Sequence, residues 1–329
     1  MTGTVYAIKK SSPNERHLLV ESNEYEKSLT SAVRSDSSFN PNEMYSSRLT
    51  SWTNTFNKTA NFLGLPEYIV SDKDMFLIFK FAADTNTPTQ LLDILSMHPN
   101  LHIRGYVGAN KSASEKTLRH LSTDKILDVA VEVASNTSSP QSLLNDMAQP
   151  GNHIKIQRAV ALNANSSVDT LFLLFSNPDA EIKYNIASNT STPPWFLRMM
   201  ADYINGIKLN CNDPQSMDML RIKMRIAGNI NSPEDILLMY ASEREHISVI
   251  SEVVHNTSAT ENILKRLSES RYEYVRHDVA ANQNVTKSIL MKLAHDRSDM
   301  VKSAVTMNRK ADLEILLHIK SDNVELRGL

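Results

Sequence analysis

Residues 275–308 read VRHDVAANQNVTKSILMKLAHDRSDMVKSAVTMN. Val275, Val279, Asn282 and Leu290 are followed 26 residues later by Val301, Val305, Asn308 and Leu316. Outward from this stretch the Asn returns as Asn110, Asn136, Asn163, Asn189, Asn229, Asn256, Asn282 and Asn308, with Asp84 in register ahead of them. Successive intervals are 26, 26, 27, 26, 40, 27, 26 and 26, so the unit is about 26 residues and one unit carries 14 extra. Eight residues after each anchor stands a Leu, from Leu92 to Leu316, without exception. Ile or Val occupies the positions seven and three before it, as in Ile103 and Val107 or Ile182 and Ile186. Spacings of three and four residues place side chains on one stripe of a helix, whereas a strand needs alternation. Each unit is therefore two short helices, and the fold class is all-α: a right-handed α-solenoid of about nine two-helix repeats.

The punctuation between helices gives two local expectations. Asn tolerates the left-handed conformation that ends many helices, which suits it to the position just past the second helix. Thr87-Pro88, Ser139-Pro140, Thr192-Pro193 and Ser232-Pro233 read as a hydroxyl N-cap followed by Pro in the first turn. Asn110-Lys-Ser112, Asn136-Thr-Ser138, Asn189-Thr-Ser191 and Asn256-Thr-Ser258 match the glycosylation acceptor pattern, but their register with the caps explains them without glycosylation.

The unit resembles HEAT-like α-solenoid repeats and the related leucine-rich repeat variant. The resemblance rests on the paired short helices, an early Pro and an aliphatic-basic pair, here Ile103-Arg104, Ile182-Lys183, Ile222-Lys223, Val275-Arg276 and Val301-Lys302. An Asp or Asn five residues before the aliphatic recurs as Asp124, Asn177 and Asp296. It covers roughly residues 84–329 and implies architecture, since such solenoids serve many purposes. Ala130, Gln157 and Ile250 stand at the basic position of their units, an expected interruption of any polar ladder. The iron–sulfur cluster that the variant group can carry does not transfer to a chain with one Cys.

Residues 1–83 read as an N-terminal cap region. TVYAI and HLLVES are candidate strands, and Ser35 to Asn42 reads as a loop. A helix is expected from Asn40-Pro41 to about Leu63, with Met44, Leu49, Trp52, Phe56 and Ala60 on one face. Leu77, Phe81 and Ala82 then fall in register for an incomplete unit leading to Asp84. Residues 84–329 form the solenoid, with a loop insertion at about 203–218 that contains Lys208, Cys211 and Asp213. Ile315, Leu316, Ile319 and Leu326 leave an apolar C-terminal edge, a candidate surface for self-association.

Composition narrows the function classes. The 329 residues hold 35 Lys+Arg against 37 Asp+Glu, and a net charge of -2 removes the strongest electrostatic argument for a dedicated polyanion binder. The first residues lack a signal-peptide h-region and no run approaches 18 apolar residues, so the expectation is a cytoplasmic protein with no membrane partner. Ten scattered His, one Cys and 8 Gly supply no metal-ligand spacing, no catalytic constellation and no phosphate-cradling loop. The reading is therefore no catalytic residue, no metal and no cofactor.

The repeated cations Arg104, Lys183, Lys223, Arg276 and Lys302 tempt a phosphate-stripe reading. One residue past a buried aliphatic lies about 100° round the helix, between apolar positions, so these side chains are expected to run under neighbouring units and bond loop acceptors. The outward positions of the second helices form the better binding face, on the concave side of a solenoid: His102, Tyr106, Lys155, Tyr184, Arg221, Arg225, Tyr274 and His277. Glu132, Glu181, Glu252 and Asp278 share equivalent positions, and this mixed charge favours a protein partner. The favoured function is a non-enzymatic interaction scaffold. Two alternatives stand beside it: a nucleic-acid binder akin to the HEAT-like DNA glycosylases, with a positive groove around Arg198, Lys208, Arg221 and Arg225, and an enzyme working from residues 1–83 or the insertion.

Overall fold

A computed structural model of the chain describes residues 41–71, 74–206, 213–243 and 246–325. The candidate strands in residues 1–40, Lys208, Cys211 and Leu326 lie outside the described residues. Among those described there are nineteen α-helices and no β-strand, and the chain divides into two compact units, residues 1–121 and 122–329. The fold is an α-solenoid.

The first unit holds α1 (Pro41–Phe62), a short 3-10 turn (Pro66–Tyr68), α2 (Met75–Ala83), α3 (Thr89–Leu95), α4 (Leu101–Ala109) and α5 (Glu115–Leu121). Trp52, Phe56 and Ala60 of α1 are buried as their spacing demands, and Trp52 Nε1 donates to the Ile94 carbonyl at 2.7 Å, fastening α1 to α3. Gly64 ends α1 at φ +69, with Gly64 N bonded to Asn61 O and Leu65 N to Ala60 O. This double bond pattern needs a left-handed residue, which only glycine adopts without cost. In α2 Phe81 and Ala82 are buried as the register implies, while Leu77 is half-buried and its neighbour Ile78 is fully buried instead.

The second unit continues with α6 (Leu127–Ser135), α7 (Gln141–Ala148), α8 (Ile154–Leu162), α9 (Val168–Phe175), α10 (Ala180–Ser188), α11 (Pro194–Asn205) and α12 (Pro214–Gly228). It ends with α13 (Glu234–Ala241), α14 (Ile247–His255), α15 (Glu261–Leu267), α16 (Glu273–Ala281), α17 (Lys287–Ala294), α18 (Asp299–Met307) and α19 (Leu313–Glu325). The even-numbered helices, second in each repeat, pack one against the next from α6 to α18. The aliphatic residues seven and three before each Asn anchor are all buried, from Val129 and Val133 to Val301 and Val305. Each such side chain contributes about 1.5–3 kcal/mol relative to exposure, so the repeat pattern is a record of core positions.

The Asn anchors do not adopt the left-handed conformation. Asn189 has φ -72 and ψ 125, and no non-glycine residue described has positive φ. The side chain supplies the reason for Asn. Asn163 Nδ2 donates to Ala134 O at 2.7 Å and Asn136 O at 2.9 Å, at the end of the preceding second helix, while its Oδ1 accepts from Asn165 N at 2.8 Å. Asn189, Asn229 and Asn256 make the same three bonds one repeat further on each time. Two donors and an acceptor in one short planar group are unique to the Asn side chain at this length. Each anchor thereby caps the orphan carbonyls of its predecessor's helix. Asp84, first in the series, only accepts, from Asn86 N at 2.8 Å and Asn86 Nδ2 at 3.0 Å, and an Asp suffices there.

The Ser/Thr-Pro reading also changes. Pro88, Pro140 and Pro233 are themselves the N-cap residues of α3, α7 and α13, and Pro193 is that of α11. The preceding hydroxyl donates backwards to the carbonyl six residues earlier: Thr87 to Phe81 at 2.7 Å, Ser139 to Val133 at 2.7 Å, Thr192 to Ile186 at 2.6 Å, and Ser232 to Ile226. The carbonyl of the helix end is the group in need of a partner, because the proline cap already ends the other helix without using a hydroxyl. Side-chain acceptor caps do occur, at Asn100 for α4, Ser167 for α9, Asp179 for α10 and Asp213 for α12.

Much of the 14-residue insertion is helix rather than loop. It lengthens α11 to 12 residues and α12 to 15, against 7–9 for most of the other paired helices, leaving residues 207–212 outside the described set.

Candidate functional site

The repeated cations bond the loop that precedes their own helix or a carboxylate of the next repeat. Arg276 donates from Nη1 to Ser270 O at 2.7 Å and, as a fork, to both Asp296 oxygens at 2.6 and 3.0 Å; the two side chains are 7% and 9% exposed. Arg104 bonds His98 O and Pro99 O, Lys183 bonds Asn177 O, and Lys223 pairs with Glu243. Lys302 is equally buried. Gln157, expected to interrupt this ladder, extends it: its Nε2 donates to Ala148 O and Gln149 O, and its Oε1 accepts from Asn177 Nδ2 at 2.9 Å. Ala130 and Ile250 are buried at the same position without polar atoms. Burial lowers the Lys183 pKa, opposed by the Asp179 charge. For Asp296, burial would raise the carboxyl, but bonds from Arg276 and Ser298 N with the charges of Arg276 and Arg297 outweigh it and hold it below the usual range.

On the second-helix face of the second unit, the residues eight before each anchor run Asp128, Lys155, Glu181 and Arg221 on α6, α8, α10 and α12. The signs alternate from helix to helix. Lys155 is exposed. Arg221 Nη2 lies 3.4 Å from Glu181 Oε2 and its Nη1 lies 3.6 Å from Asp218 Oδ1. Tyr184 of α10 joins them: the guanidinium carbons of Arg221 and Arg225 sit 4.8 and 5.2 Å from its ring centroid. Tyr184, Arg221 and Arg225 thus form one cluster. Tyr274, 63% exposed, and His277, whose Nδ1 is 3.0 Å from Asp278 Oδ1, stand apart on α16. His102 and Tyr106 belong to α4 of the first unit, where the Tyr106 ring meets Phe79 edge-on at 5.8 Å. Asp213 accepts from Ser216 N and Oγ as the cap of α12, a structural position.

Arg198 does not join a groove with Arg221 and Arg225. It lies on α11, in the layer of first helices, and forks onto Asp235 of α13. Arg158 likewise forks onto Asp179, with bonds of 3.0 and 2.6 Å. Sequence reasoning centred on second helices passed over a cluster on the first helices. Phe172, Trp195 and Tyr203, each about half exposed, surround buried Phe196 and half-buried Phe175, with ring centroids 5.3–6.0 Å apart. The signal was available: these are large apolar residues off the buried stripe of α9 and α11.

Among the described residues no three His, Cys, Asp or Glu side chains are grouped to hold a metal ion, and no helix is long and apolar enough to cross a membrane. A cleft of about 420 Å³ lies beside Ile250, lined by Ser242, Glu243, Arg266, Ser270 and Tyr272.

No protein-family model matches the chain, and no curated protein matches it. Among solved structures it is similar to one described as a leucine-rich repeat variant with a novel repetitive protein structural motif. The identity is 16%, the TM-score is 0.42, and the match covers 69% of this chain and 84% of the other.

Proposed function

We propose that the chain is a non-enzymatic, cytoplasmic interaction scaffold of the HEAT-like class, holding a protein partner on its second-helix face. The observation that carries this reading is the alternation Asp128, Lys155, Glu181, Arg221, with Arg221 already flanked by two carboxylates. A polyanion laid across these helices would meet carboxylates at every second step, whereas a protein surface can match both signs. The aromatic ring of Tyr184 and the exposed Tyr274 add the side chains enriched at protein interfaces. The buried Asn and cation ladders support a face whose side chains need little ordering on binding.

The test is affinity capture of the tagged full chain from its native lysate, with and without nuclease. A stoichiometric protein that survives nuclease and is lost on the Glu181→Lys, Arg221→Glu double exchange is the expected result. Recovery of nucleic acid instead, released at a few hundred millimolar salt, would replace this reading with the nucleic-acid one.

A further inference from the structure

The cluster around Tyr184 contains two arginines in unequal circumstances. Arg221 has Glu181 and Asp218 beside it. Arg225, one helical turn on, forms no ion pair or hydrogen bond among the described residues, and its Nε is buried without a partner. Hydrogen bonding of this guanidinium therefore falls to its terminal nitrogens. The Tyr184 ring, 5.2 Å from Cζ, holds the group on the α10 side of α12. A half-buried, pre-oriented fork matches a carboxylate, which accepts two parallel N–H bonds at little ordering cost.

One groove further along, the sign reverses. Glu252 of α14 is half-buried and has no ion pair among the described residues. Its Oε2 lies 2.9 Å from where a Cβ on Gly228 would sit, so the carboxylate leans onto the end of α12 in space left by the missing side chain. Arg225 thus leans toward α10 while Glu252 leans toward α12, each four residues before its anchor. Their charges are separated by roughly one helix spacing, about 8–10 Å. An extended peptide in the polyproline II conformation advances about 3.1 Å per residue and brings every third side chain back to the same face, so this span corresponds to roughly three residues.

We infer that Arg225 and Glu252 form a two-point site for an extended segment of a partner protein that carries an acidic residue and, about three positions away, a basic one. The inference rests on the scaffold reading and deepens it by naming the partner's chemistry. Arg225 takes the partner's carboxylate, with the Tyr184 ring beside it; Glu252 takes the ammonium or guanidinium. The site is unsuited to a uniform polyanion because Glu252 and Asp278 follow Arg225 at the same position on successive helices.

A random-peptide display library selected on the full chain tests this. Expected are enriched peptides with an acidic and a basic residue three positions apart, bound at least tenfold more weakly by Arg225→Gln and less than threefold more weakly by Arg221→Gln. Arg225 makes no described polar bond, so the Arg225→Gln chain should keep its helicity and thermal midpoint. Glu252→Lys supplies the second arm: selection on it should replace the basic residue by an acidic one at the same spacing. Enriched peptides indifferent to Arg225 and Glu252 would overturn the site while leaving the scaffold reading to the capture experiment. An empty selection would overturn it too, as would Arg225-dependent binding of a single-stranded oligonucleotide to the wild-type chain. If capture recovers no protein while the charge-paired peptides bind as expected, the scaffold reading fails and the site stands.

Discussion

Asn189 Nδ2 donates to the backbone carbonyl of Asn163, its counterpart one repeat earlier, at 2.9 Å. The same bond links Asn229 to Asn189 at 3.0 Å and Asn256 to Asn229 at 2.8 Å, so the anchors form a chain of side chain to backbone contacts from Asn136 to Asn256. Each anchor carbonyl also accepts from the N–H three residues on, as Asn163 O does from Ser166 N at 3.0 Å, which uses both lone pairs. Tertiary stacking and local turn geometry therefore depend on one atom.

Replacing Asn189 by Asp tests which property of the anchor matters. The carboxylate keeps the acceptor for Ser191 N but cannot donate to Ala161 O and Asn163 O. Two buried carbonyls lose a partner and face an anion, so Asn189→Asp should destabilise by about 2–4 kcal/mol, and Asn189→Gly by a similar amount. Far-UV circular dichroism during urea unfolding measures the fall in midpoint. A midpoint unchanged by Asp would return the anchor to a merely conformational role.

Ser139 separates a donating hydroxyl from a capping one. An N-cap Ser tolerates Asp, a strong capping residue. Here the fully buried Oγ donates to Val133 O, and a carboxylate would stand against that carbonyl in a dry site. Ser139→Ala should cost about 1–2 kcal/mol, and Ser139→Asp should cost more. Thermal midpoints in the order wild type, Ala, Asp are the expected outcome, whereas an Asp variant as stable as wild type would reinstate the cap.

The fold was legible because helical periodicity depends on residue size and polarity, which a one-dimensional string carries. Val133, Ile186 and Leu264 could be placed in the core from register alone, and they are there. The bonding partners were less legible. Register identified Asn189 as special, but a contact with Asn163 depends on how repeats stack, and the left-handed cap offered a purely local explanation for the same residue. Gln157 was misjudged because a cation was expected at its position, although the amide satisfies the same loop carbonyls. For the candidate site, Tyr184, Arg221 and Arg225 were readable as outward positions. The difference between the two arginines was not, because it depends on Glu181 and Asp218 reaching one and missing the other.

His98 gives the first unit a predictable pH response. The ring is fully buried, accepts from Asn100 N through Nδ1 at 3.0 Å and lies edge-on to Trp52 at 4.5 Å. Burial first, then the Arg104 charge, push its pKa from 6.5 down to about 3. The unfolded chain binds a proton below about 6.5 that the folded chain does not. Stability from this group is therefore complete above about pH 6.5 and falls steadily as pH drops toward 3. His98→Asn keeps an acceptor near the Nδ1 position and removes the titration. Its thermal midpoint should vary less than wild type between pH 7 and 5, and identical slopes would dismiss His98 as the source.

Arg276 and Asp296 make the most enclosed ion pair with a fork geometry in the second unit. Removing one member strands a buried charge, so Arg276→Met should destabilise by about 3–5 kcal/mol. Replacing both, with Asp296→Leu, removes the stranded charge but leaves Ser270 O without its donor and Ser298 N without its acceptor. The double variant should therefore recover most but not all of the loss, giving strongly non-additive midpoints. The lowered Asp296 pKa sets the pH window: its contribution is present above the unfolded carboxylate value near 4 and is lost as pH falls through the lower folded value. Urea midpoints of wild type and Asp296→Asn measured at pH 7 and pH 3 read this directly. The gap between them should narrow on acidification. A gap that stays constant or widens would mean that the Asp296 carboxylate does not stabilise the fold through its charge.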